Sequence, residues 1–421
     1  MNKSFNFKQL GWLCFIAFMF CSVTSLSRAE TIFGSVGLPD TVEVNSTVSA
    51  ATGASSIAVF DGNSAMIGNP AALTKLKKSA LQAGVSAALI SEEQFDEGDL
   101  RYDNAQNYPN PLRTQSVIVR YQKFVGGISR GLLGDYSFKR ERRVNKDDPK
   151  SDLITIENTG GLYMLSAHFA GEVAPKLSIG GSLNMFRGSG DFESLRKGKT
   201  SSGTTGEFSE DSGVSITLGG FYQIHDKVNL AAAYRSGTEI RVKTTKREIV
   251  AGKAGKPDTI RTKWKYPSSY GLGATYEHEN VLFIGEFHRV NWSDYTIQVG
   301  RGKTERPNYF DLTTYHIGVE YKANIPDISS DPVRLRAGLY TAPFYFVEQR
   351  STDETKGYFL TAGVGLSFNV VQLDIAARYG KKTLTDFDAN SEYEGSIADI
   401  FATLTYQTDF ESIVGKTPKT P

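Results

Sequence analysis

From Leu81 onward the chain alternates between apolar and polar residues in one segment after another. Val371, Leu373, Ile375, Ala377 and Tyr379 share one parity, and Gln372, Asp374, Ala376 and Arg378 the other. The same pattern sets Tyr315, Ile317, Val319 and Tyr321 against Thr314, His316, Gly318, Glu320 and Lys322. It recurs with Val333, Leu335, Ala337 and Leu339 against Arg334 and Arg336. A sustained period of two predicts strands with one apolar face. Charges recurring on the opposite face suit a wet lumen better than the dry centre of a sandwich.

The connections between these segments alternate as well, short against long. Short turns are expected at 123–127, 172–176, 225–227, 277–280, 323–331 and 369–370. Long polar loops are expected at 91–111, 139–152, 188–210, 242–266, 296–308, 341–356 and 381–395. Outer-membrane barrels sort their connections in this way, with short periplasmic turns and longer external loops. The count predicts an all-β fold, a transmembrane antiparallel β-barrel of about 14 strands over residues 80–410. In the last strand Ile400, Ala402, Leu404, Tyr406 and Phe410 share a face. A terminal strand of this kind makes the barrel-assembly machinery an expected partner during insertion. Residues 411–421 then form a C-terminal periplasmic tail.

The N-terminal end is organised differently. Lys3 and Lys8 precede an apolar run from Leu10 to Val23, and Ser27-Arg28-Ala29 supplies small residues, so residues 1–29 read as a cleaved secretory signal peptide. Both cysteines, Cys14 and Cys21, fall inside it, and the mature chain is expected to hold no disulfide, thiol nucleophile or cysteine metal site. Residues 30–79 do not alternate, and are rich in Ser, Ala, Thr and Gly. That length exceeds an ordinary linker, and the segment is expected to pack inside the barrel as an N-terminal hatch. The mean hydropathy of -0.29 excludes a helical membrane protein but not a barrel, whose two faces average out. The 41 glycines, 20 tyrosines and 25 phenylalanines fit a strand-rich chain. The net charge of +1 offers nothing to nucleic acid.

The segment Ala54–Leu76, ASSIAVFDGNSAMIGNPAALTKL, resembles the N-terminal hatch of the FadL/TodX family of outer-membrane transporters for long-chain fatty acids and other hydrophobic compounds. Asn69, Pro70 and Ala71 stand where that family has its Asn-Pro-Ala hatch motif. Looser likenesses are Ala233-Tyr234-Arg235-Ser236, Tyr266-Pro267-Ser268-Ser269, Asn291-Trp292-Ser293, Leu335–Leu339 and Thr361–Gly365. The resemblance implies a fourteen-stranded barrel plugged by a hatch. It also implies passive uptake of fatty acids or aromatic hydrocarbons, with lateral release into the bilayer at a kinked third strand. That strand is read at 126–138, where Gly131 and Gly134 are candidates for the kink. Parity makes Phe186, Phe221, Ile284 and Phe359 candidates for a lumen-facing apolar pocket. A barrel serving as a surface-protein attachment or secretion partner is the alternative reading.

Other chemistry is thinner. His288 and His316 fall on neighbouring strands with Glu286 and Glu320 nearby, and a lumenal polar network is expected there rather than a metal or a hydrolase. Gly198-Lys199-Thr200 and Gly302-Lys303-Thr304 lack the earlier glycine of a phosphate loop. Asp386, Asp388 and Asn390 lack the turn glycine and closing Glu of a calcium loop. Nine Lys and Arg between Arg241 and Lys265 would suit lipopolysaccharide phosphates. No enzyme activity, metal or cofactor is expected, and the barrel is expected to be a monomer.

Overall fold

The computed structural model describes residues 40–409 except 42–43, 45, 60, 97–98, 137, 145–147, 149, 199–200, 212, 308, 344–353 and 387–390. The signal peptide at 1–29 and the tail at 411–421 lie outside the described residues. The barrel strands, in chain order, are β1 (Ser79–Asp96), β2 (Asp99–Tyr121), β3 (Phe124–Asp135, continued by Phe138–Arg143), β4 (Leu153–Ala174) and β5 (Leu177–Lys197). There follow β6 (Ser202–Asp211 and Val214–His225), β7 (Val228–Arg235 and Thr238–Val250), β8 (Asp258–Tyr266 and Ser269–His278), β9 (Val281–Val290) and β10 (Leu312–Ala323). The last are β11 (Val333–Thr341), β12 (Glu354–Phe368), β13 (Val371–Asp386) and β14 (Ser391–Thr408).

Each strand pairs antiparallel with the next. The ring closes where β1 meets β14, from Ser79↔Thr408 to Asp96↔Ser391. Closure leaves the sheet no terminal edge strand, which a sheet surrounded by hydrocarbon requires. All six expected short turns connect strands, the first two more tightly than read, at 122–123 and 175–176, with 124–127 and 172–174 in strand. Gln122, Lys176, Glu279 and Asn369 take φ values between 54° and 68° in four of them, the left-handed conformation that tight hairpins need.

The two faces are the reverse of a soluble protein's. Ile179, Leu183, Ile216, Leu218, Leu272, Ile317, Leu360 and Ile400 are exposed on the outer wall. Asn184, Thr217, Glu286, His316, Arg336, Asp374, Arg378 and Asp399 are buried inside. Apolar outside and polar inside is the arrangement of a transmembrane barrel, and the protein is an outer-membrane β-barrel. No helix among the described residues is long and apolar enough to cross a membrane; the strands do so.

Several segments expected as long loops are instead strand. β2 has 23 residues and β5 has 21, where about 9–11 suffice to cross. The surplus polar residues stay paired as ribbons beyond the apolar belt, for example Arg241–Lys246 of β7 against Asp258–Lys263 of β8. Alternation fades there because neither face meets lipid, so a polar ribbon and a polar loop look alike in sequence.

Two substitutions separate belt from ribbon. Ile317→Lys places a charge midway along β10 on the lipid face and should cost about 2–4 kcal/mol. Val250→Lys, at an exposed ribbon tip, should stay within about 0.5 kcal/mol. Reversible folding into lipid vesicles, followed by denaturant titration, measures both.

Candidate functional site

The described residues between 44 and 76 occupy the lumen. The helix α1 (Thr47–Ala51) is capped by Ser46, packs on β12, β13 and β14, and is buried throughout. The helix α2 (Gly62–Ile67) is capped by Asp61 and packs on β1, β2 and β3. A 3₁₀ turn, Pro70–Lys75, packs on β4, β5 and β6. Helix caps of this kind satisfy backbone donors that the lumen would otherwise strand.

Asn69, Pro70 and Ala71 form the docking point of that turn. The Asn69 side-chain oxygen accepts from the Ala71 amide at 3.0 Å, while its amide group donates to Ile57 O at 2.9 Å and Gly220 O at 3.1 Å. Pro70 starts the turn, where its missing N–H costs nothing. The approach is so close that a Cβ on Gly219 would lie 2.0 Å from the Asn69 oxygen. One on Gly180 would lie 2.6 Å from the Ala71 nitrogen. Glycine is therefore required on the wall facing the turn.

The strongest tie between wall and segment is Glu286 of β9. Its carboxylate accepts from the Ser56, Ile57 and Ala58 amides at 2.7, 3.0 and 2.7 Å, and lies 2.8 Å from His288 Nε2. Three backbone N–H groups converging on one carboxylate are charge-assisted bonds, about twice as strong as neutral ones. The neighbouring His316 ring has its Nδ1 2.8 Å from Gly53 O, and the two imidazoles lie 4.3 Å apart. Elsewhere in the lumen Arg336 bridges Glu320 and Asp374 at 2.7 Å each, and Arg378 pairs with Asp399. The expected polar network is present, with Glu320 serving Arg336 rather than the histidines. Among the described residues no group of three potential ligands could hold a metal.

Between this latch and the opposite wall lies a cavity of about 150 Å³. Ile57 and Ile67 border it from the lumenal segment, Arg235, His288 and Leu312 from one wall, and Leu133 from β3. Leu133 is a bulge residue, because the β3–β4 register skips from Leu132↔Tyr163 to Gly134↔Leu162. The β2–β3 ladder stops at Thr114↔Gly131. Beyond it β2 carries Pro109 and Pro111, which have no N–H to give a ladder, and its register against β1 shifts between Gly84 and Ser86. On that side β3 pairs instead with a two-residue strand, Asp40–Thr41, through Thr41↔Gly134 and Asp40↔Asp135.

Outward of the cavity an apolar cluster fills the mouth, with Leu133, Tyr136, Met164, Phe186, Trp264, Tyr266, Trp292 and Tyr295 among its members. Glu210, in the ribbon part of β6 and outside the lipid belt, is buried beside it. Tyr136 donates to one oxygen of Glu210, and the other has no partner among the described residues. Burial pushes the Glu210 carboxyl up to about 7 despite the Tyr136 hydroxyl, which acts the other way.

Phe186, Phe221, Ile284 and Phe359 are all buried, but each belongs to a different apolar cluster. None of them lines the cavity. The reason is the lumenal segment itself, which divides the interior and covers each patch separately. Gly131 and Gly134 flank the bulge of β3. Sequence reasoning passed over Arg235 and Leu133 as site residues. Arg235 stood only within a family likeness, and a bulge has no period to reveal it.

The model of the BamG family matches residues 13–392. No curated protein matches the chain in sequence. Among solved structures it is similar to a FadL homologue of Pseudomonas aeruginosa, at 14% identity over 89% of this chain and 100% of that one, with a TM-score of 0.66. It is similar to the toluene transporter TodX of Pseudomonas putida, at 17% identity over 87% and 99%, TM-score 0.60. The toluene transporter TbuX of Ralstonia pickettii is comparable, at 16% identity over 87% and 98%, TM-score 0.59. At these identities the likeness is one of fold.

Glu286→Ala should strand three buried amides and release the 56–58 turn, with hydrogen exchange of those amides faster by about tenfold or more. The β8–β9 ladder amides should stay protected. Glu210 is raised in the fold, so its contribution is fully present below about pH 4.5 and is lost as pH rises through about 7. Glu210→Gln should therefore stabilise the barrel by roughly 3 kcal/mol at pH 8 and have little effect at pH 4. Unfolding midpoints at the two pH values test the sign.

Proposed function

The chain belongs to the BamG family, and from that membership, the FadL-type barrel and the cavity we propose that it admits small hydrophobic compounds from outside and releases them sideways into the bilayer. The observation that carries this reading is the position of the cavity. It lies between the latched lumenal segment and Leu133, the bulge residue of β3, next to where the β2–β3 ladder ends. Leaving water stabilises an apolar molecule by about 0.8 kcal/mol per CH₂, so a side exit into hydrocarbon is downhill where a water-filled pore is not. Gly131 and Gly134 would supply the kink at that exit.

Size favours single-ring compounds over long-chain fatty acids. An apolar cavity near 150 Å³ is known to take benzene, and a volume of about 150 Å³ here matches a single ring. The solved relatives named as toluene transporters support the same class. A second reading rests on the family's name, which points to a link with barrel assembly. The filled lumen and the long external ribbons favour it, since both suit a barrel that offers surfaces rather than a passage. Assembly machinery would then be a lasting partner and not only an insertion factor.

Uptake of radiolabelled toluene and oleate by cells making the protein separates the readings. The passage reading expects saturable toluene uptake. It also expects uptake to be slowed roughly tenfold, as a barrier higher by about 1.4 kcal/mol gives, when Gly131 and Gly134 are both changed to Val. No uptake of either compound by a folded surface barrel, with co-purification of assembly components in mild detergent, would transfer the function to the second reading.

A further inference from the structure

The cavity has an unusual charge. Arg235, Arg289, His288 and His316 line it, and no Asp or Glu does. Three of these are engaged: Arg289 with Asp311 at 2.8 Å, His288 with Glu286, and His316 with Gly53 O and Thr314. Arg235 differs. Among the described residues its guanidinium has no carboxylate within ion-pair distance and no hydrogen-bond acceptor, and its neighbour is the Tyr266 ring, 5.9 Å away. Arg336 and Arg378, by contrast, each meet a carboxylate. The side chain is half-buried and its nitrogens are reached by solvent, so a ligand that supplies a counter-charge there gains a charge-assisted pair. The guanidinium fork matches a carboxylate in two parallel bonds. Around it, Ile57, Ile67, Leu133 and Leu312 contribute apolar surface to the same cavity.

We propose that this cavity binds a small organic carboxylate with an apolar body of about one ring, its carboxylate on Arg235 and its ring against Ile57, Ile67, Leu133 and Leu312. The inference rests on the reading of the cavity as a stop on a passage for small apolar compounds, and it makes that stop selective for acids over hydrocarbons and amines.

Benzoate, toluene and benzylamine serve as matched probes for the purified full chain in detergent. Calorimetry reports binding, and so does the fluorescence of Trp264 and Trp292, which sit in the cluster with Tyr266. Benzoate should bind about tenfold or more tighter than toluene, and benzylamine should not bind. Arg235→Gln should remove that advantage while leaving toluene unchanged, and Arg235→Lys should keep part of it. A heat-modifiable gel shift confirms that each variant is a folded barrel. Benzoate no tighter than toluene, or benzoate affinity unchanged in Arg235→Gln, overturns the proposal while toluene binding leaves the passage reading standing. Loss of all binding in the unaltered chain removes both.

Discussion

Hydrocarbon offers a peptide group no hydrogen-bond partner, and that single constraint shapes everything else in this barrel. Fourteen strands must satisfy one another completely, so the wall closes through β1 and β14. Once closed, its outer face has to be apolar and its inner face is free to be polar. A polar interior then needs a polar filling, and residues 44–76 provide it with capped helical turns and backbone donors. Glu286, Asn69 and His316 are where wall and filling exchange hydrogen bonds. The constraint is relaxed above Gly131, where the β2–β3 ladder stops and two residues from the N-terminal side take over part of the edge.

The functional features follow from that relaxation. A ladder that ends within the wall lets β3 bulge at Leu133 and leaves room behind it, bounded by the latch on the far side. The same apolar cluster that closes the mouth supplies Tyr266 to Arg235. Space, charge and wall defect thus meet in one region, although the residues come from the lumenal segment and from β3, β7, β9 and β10.

Much of the architecture was legible because alternation records which side of a strand faces lipid. Ile317 and His316 take opposite faces as their parity requires, and the unequal connections yield the strand count. The ribbons beyond the belt were not legible, since Arg241–Lys246 lacks an apolar face to mark it as strand. Glu286 and His288 could be placed in the lumen, but not what Glu286 holds. Backbone amides of Ser56, Ile57 and Ala58 carry no side-chain sign of their role. The four apolar candidates from Phe186 to Phe359 point inward, yet inward is not the same as together. Which of them share a space depends on how residues 44–76 thread between them, and that path has no periodicity to read.

That threading also constrains how the molecule comes into being. Thr47 meets Thr403 at 2.7 Å across 356 residues of chain, while the Pro70–Lys75 turn sits on β4, β5 and β6 on another part of the wall. A segment gripped from so many directions depends on strands from both ends of the chain. Its contacts with β12, β13 and β14 and those with β4, β5 and β6 are complete together only once β14 lies beside β1, so closing the seam and filling the interior are coupled.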